Sequence, residues 1–69
     1  MNLTKEQFNI LKSFNEGFNY KDIEEKFGIR LYTNDPRVIS LYEMHNVVDR
    51  LELCKVADLD KVEIINQEP

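Results

Sequence analysis

The chain has one cysteine, two glycines, two prolines and no tryptophan in 69 residues. The lone Cys54 excludes an intramolecular disulfide and gives a zinc ion no paired thiol. Apolar residues never run beyond pairs such as Val47-Val48 and Ile64-Ile65, whereas a membrane helix needs about 20 in succession. No secretory leader is readable. The expected location is the cytoplasm, with no membrane partner.

Positive charge is also scarce. Nine Lys and Arg stand against 13 Asp and Glu, for a net charge of −4 and a pI near 4.8. Contact with a nucleic-acid backbone requires cations that neutralise phosphates. An acidic chain must gather its few cations on one face or bind something else. The same balance disfavours an anionic membrane surface.

The residues present suit a globular fold. Hydrophobic residues make up 42% and charged residues 32%, too apolar a mixture for disorder. Residues 1–69 hold one small domain. A chain this short buries a limited share of its surface, and dimerisation is a common remedy.

Thr4 and Gln7 form a Thr-x-x-Gln capping box, with Leu3 and Phe8 placed as a hydrophobic staple. Phe8, Ile10, Leu11 and Phe14 then share one helical stripe, and Lys5, Glu6, Asn9, Lys12, Ser13 and Glu16 take the other face. Helix one therefore covers about 4–16, with Gly17 as its stop. Phe18 points toward the core. Asn19 caps a second helix, 20–27, whose Tyr20, Ile23 and Phe27 line one side and whose end is Gly28. Asn34-Asp35-Pro36 is a strong turn signal. It leaves two starts for the third helix: Asp35 as cap with Pro36 at the first position, or the capping box Ser40-x-x-Glu43. The preferred span is 40–52, because Leu41, Met44, Val47, Val48 and Leu51 fall on one face. Alternation over Leu53–Ala57 and Lys61–Asn66, around Asp58-Leu59-Asp60, predicts a hairpin at 53–66.

The fold class is thus mainly α with a small β-hairpin: three helices and a two-stranded wing. This order resembles the winged helix-turn-helix family. Leu3-Thr4, Gln7, Ile10-Leu11, Gly17, Asp22-Ile23 and Phe27-Gly28-Ile29 look like the first two helices of bacterial regulators. Val47 to Leu53, leading into Lys55 and Val56, looks like a recognition helix entering its wing. Residues 29–39, between Gly28 and Ser40, depart from the compact turn of that family.

The resemblance implies double-stranded DNA as partner, with helix three in the major groove and the wing on the backbone. The positions it nominates are Arg37, Tyr42, His45, Asn46, Arg50, Lys55 and Lys61. Asn46 and Arg50, one turn apart, are types that pair bidentately with adenine and guanine edges. In the plainer reading they are exposed residues, with Arg50 paired to Asp49 or Glu43. Glu43, Asp49, Asp58 and Asp60 stand among these positions and would repel phosphate. His45 and Asp49 are spaced i, i+4, but two ligands alone do not make a metal site. Cys54 reads as a small buried hydrophobe. The aromatics of the first two helices read as packing, while Tyr32 or Tyr42, if exposed, would suit a protein partner. No catalytic constellation and no cofactor site is readable, so an enzyme is not expected.

Two functions follow. One is a small winged-helix DNA-binding transcriptional regulator, with a homodimer doubling its cations. The other is an acidic phage or mobile-element module that binds a host nucleic-acid-handling protein through its carboxylates.

Overall fold

The computed structural model describes residues 2–65. Strand β1 (Asn2–Thr4) runs directly into helix α1 (Lys5–Asn15), followed by α2 (Tyr20–Phe27), α3 (Pro36–His45) and α4 (Arg50–Val56). A single 3-10 turn (Leu59–Lys61) then leads to strand β2 (Glu63–Ile65). The architecture is mainly helical with a small two-stranded sheet.

The first two helices form as their caps predict. The Gln7 amide donates to Thr4 Oγ1 at 3.1 Å, and the Thr4 amide donates to Gln7 Oε1 at 3.2 Å. At the far end Gly17 takes a φ of 87°, which glycine reaches without a Cβ clash. The Phe18 and Gly17 amides then bond back to the carbonyls of Ser13 and Phe14, closing the helix by a Schellman motif. Asn19 and Asp22 cap α2 reciprocally, at 2.8 and 3.1 Å. Gly28, at φ 65°, ends it. Ser13, read from sequence as outward-facing, is instead buried. Its hydroxyl donates to the Asn9 carbonyl at 2.7 Å, which satisfies it inside the fold.

The third helix differs from the 40–52 expectation in both directions. It begins at Pro36, capped by Asp35, the alternative start. Asp35 accepts from the amides of Arg37 (3.0 Å) and Tyr32 (3.3 Å), and Pro36 brings a φ suited to the first helical position. The helix ends at His45 because Asn46 turns left-handed, at φ 54°. Asp49 then caps a separate helix, accepting from the Glu52 amide at 2.8 Å. Asn46 and Asp49 favour helix ends, and the β-branched pair Val47-Val48 between them resists helix. The single apolar face is lost with the single helix: Leu41 is fully buried, whereas Val48 is 86% and Leu51 68% exposed.

The hairpin at 53–66 does not form either. Leu53 to Val56 are helical, and Leu53 is buried. Leu, Glu and Lys are good helix formers, and five residues of alternation do not outweigh that preference. Of the second expected strand, Glu63–Ile65 is extended, and Asn66 lies outside the described residues. This strand pairs in parallel with β1, in the register Asn2 to Glu63, Leu3 to Ile64 and Thr4 to Ile65. No hairpin wing is therefore present among the described residues.

Helix α1 is the hub, packing against α3, α4 and both strands. Leu3, Ile10, Leu11, Phe14, Ile23, Leu31, Val38, Leu41 and Leu53 make the core. Phe18 packs against it from the connection, as expected. Among the described residues no helix is long and apolar enough to cross a membrane.

Candidate interaction surface

The structure separates the positions nominated from sequence and gives most of them structural work. Arg37 is tied into the fold at three points. Its guanidinium donates to Asp35 Oδ1 (2.9 Å) and Oδ2 (2.8 Å), to the Arg30 carbonyl, and toward Glu6 Oε2 at 3.0 Å. Asp35 is buried. The Arg37 guanidinium beside it holds its carboxyl well below the usual carboxylate range, against the opposing effect of burial. Arg37 therefore compensates a buried charge.

Arg50 is committed in the same way. It opens α4, and its guanidinium lies 4.5 Å from the centroid of the Phe14 ring. It donates to the carbonyls of Phe14 (3.5 Å), which also accepts from the Gly17 amide, and Phe18, just past the end of α1. Arg50 thus fastens α4 to the end of α1. Asn46 sits in the turn between α3 and α4, so the proposed pair of base readers does not share a helix face. The spacing argument failed because it assumed one continuous helix.

His45 is half-buried on the last turn of α3, with Nδ1 2.7 Å from the Leu41 carbonyl oxygen. A carbonyl can only accept, so Nδ1 carries the proton. Nε2 is buried and has no hydrogen-bond partner among the described residues. Asp49 lies beyond the turn and caps α4, so the two residues do not occupy one helix face. Tyr42 is half-buried against the core, and burial pushes its phenol above the ordinary value. Phe14 and Tyr20 stack at 5.8 Å, which bears out packing for both. Tyr32 is 60% exposed. Lys55 and Lys61 are exposed on α4 and on the 3-10 turn.

A different surface stands out from residues 44 to 56. Met44, Val48, Leu51 and Val56 are all exposed. Of these, Leu51 lines an open groove of about 440 Å3 between the end of α1 and α4. Phe14, Asn15 and Gly17 form one wall, and Arg50, Leu51 and Cys54 the other. Cys54 is half-buried there, on a helix rather than a strand.

Charge is unevenly divided along the chain. Residues 1–42 carry six acids and six bases and sum to zero, while residues 43–69 carry seven acids and three bases. The entire net charge thus belongs to the segment that exposes the apolar residues. Sequence reading missed this surface because burial of Val48 and Leu51 followed from the assumed helix phase. The signal that could have revealed it was the pair of helix-end residues, Asn46 and Asp49, which breaks that phase. Comparison with protein-family models, curated proteins and solved structures gives no match to this chain.

Proposed function

We propose that the protein is an acidic protein-binding module whose partner docks on α4 and the groove beside it. The observation that carries this reading is the exposure of Val48 and Leu51, at 86% and 68%, with Leu51 lining a mainly apolar groove. Single exposed apolar residues are ordinary on any surface, but several within 13 residues of chain, one of them lining a groove, suit a partner site. The carboxylates of Glu43, Asp49, Glu52, Asp58, Asp60 and Glu63 are exposed along the same stretch. Such a surface suits a nucleic-acid-handling protein, whose own binding face is basic. The helical order of α1 to α3 remains in keeping with a helix-turn-helix-like scaffold, used here for a protein contact.

DNA recognition draws less support. Arg37 and Arg50, two of the cations it needs, hold the fold together. The test has two arms. Fluorescence anisotropy with a mixed-sequence duplex at low and moderate salt is expected to show no salt-sensitive binding. Capture of a partner from source lysate is expected to be lost in Val48→Glu and Leu51→Glu. Salt-sensitive DNA binding that weakens in Lys55→Ala would overturn the reading in favour of a regulator.

A further inference from the structure

We infer that the groove between α1 and α4 receives an apolar side chain from a basic amphipathic helix of the partner, an assignment that rests on the protein-binding reading. The groove holds about 440 Å3, and Phe14, Leu51 and Cys54 provide apolar wall on both sides. Its one charged lining residue, Arg50, already donates to two backbone carbonyls and lies over the Phe14 ring. An entering group therefore meets no unsatisfied cation. An apolar group fits best, because the lining is mainly apolar and a polar head pressed against it would trade water for few partners.

The segment 43–69 holds the whole net charge of the chain. In sequence, Glu16 lies between the lining residues Asn15 and Gly17, and Asp49 and Glu52 adjoin the lining residues Arg50 and Leu51; all three acids are exposed. The cations nearby do not cancel this. Lys26 sits 4.0 Å from Glu16 in a half-exposed contact, and Lys55 is a single charge on the outer face of α4. Complementary potentials steer and orient association, and like charges oppose it. A second copy of this chain would bring two acidic segments face to face, so it is the poorer occupant. A helix with apolar anchors along one stripe and Lys or Arg beside them fits both features, in the helix-in-groove mode.

The experiment is a titration of the full 15N-labelled chain, followed by amide chemical shifts. The probe is a synthetic amphipathic helical peptide with a leucine stripe flanked by lysines. Two control peptides replace its lysines by glutamate or its leucines by alanine. The basic peptide is expected to shift the amides of Asn15, Gly17, Leu51 and Cys54. Each control, and the Leu51→Asp variant with the original peptide, is expected to bind at least about tenfold more weakly. Leu51 is exposed, so its replacement leaves the fold intact, which the unperturbed core amides verify. Absence of binding, equal affinity for the acidic peptide, or shifts away from the groove would overturn the assignment. So would shifts at these amides on raising the protein concentration alone, which would identify a second copy. These failures leave the broader reading standing if Leu51→Glu still abolishes partner capture. Capture unaffected by that substitution would instead remove the broader reading itself.

Discussion

Asp35 and Arg37, two residues apart, face each other in a fork: Nε to Oδ1 at 2.9 Å and Nη2 to Oδ2 at 2.8 Å. The carboxylate is 2% exposed and the guanidinium 27%. The same carboxylate caps α3, and the same guanidinium reaches the Arg30 carbonyl and Glu6. The pair thus joins the 29–35 connection, α1 and α3 at one point. Removing one partner leaves a buried charge uncompensated, which is costlier than losing a surface ion pair. Arg37→Met is expected to destabilise the fold by about 2–4 kcal/mol. Asp35→Ala is expected to cost at least as much, because it also removes the helix cap. Urea unfolding of the two variants measures both.

The same pair sets the acid limb of stability. In the folded chain the Asp35 carboxyl lies well below its ordinary value of 3.8. As pH falls past that value the unfolded chain takes up a proton that the folded chain refuses. Stability from Asp35 is therefore complete above the ordinary carboxylate range and declines below it. Asp35→Asn is expected to be less stable at neutral pH and to show a flatter loss between pH 4 and more acid conditions. Unfolding free energy measured across that range decides it.

Asn46 ends α3 at φ 54°, a conformation that asparagine and glycine tolerate and β-branched residues do not. Asn46→Gly is expected to be neutral within a few tenths of a kcal/mol, and Asn46→Val to cost about 1–2 kcal/mol. In a domain of this size each kcal/mol moves the melting temperature by roughly 4–8 °C, so thermal melts separate the two variants clearly.

Arg50 gives a sharper distinction. As a base reader it would be dispensable to the fold. As the clasp between α4 and the end of α1, its loss leaves the Phe18 carbonyl without its donor. Arg50→Ala is expected to cost about 1.5–3 kcal/mol, the usual range for a hydrogen bond to a charged group. Faster amide exchange confined to α4 is expected to accompany that loss. Exchange unchanged in α4 would show that the clasp contributes nothing.

The first half of the chain was legible because its signals are local. Thr4 with Gln7, and Asn19 with Asp22, carry the helix starts within one turn of chain, and Gly17 and Gly28 carry the ends. The second half was misread where a periodic pattern was trusted over cap chemistry. Leu41 to Leu51 does fit a helical phase, but Asn46 and Asp49 inside it are end residues, and the backbone follows them. Strand β1 had no readable signal, since three residues show no period and its partner lies at the far end of the chain. The structural contacts of the nominated cations were hidden for another reason. Arg37 and Arg50 meet Asp35 and Phe14 only after the helices have packed, and no spacing in the sequence announces those encounters.

The parallel pairing of β1 with β2 also sets how the chain would bear tension. Asn2 lies beside Glu63 and Thr4 beside Ile65, so both strands point the same way. A load drawn backward from Asn2 and forward from Ile65 would slide the strands along one another. All the bonds of the pair would then be strained together, where a hairpin pulled apart from its open end would unzip one bond at a time. Short as it is, the pair, with buried Leu3 at its centre, would take such a load in shear before the helices between its strands do.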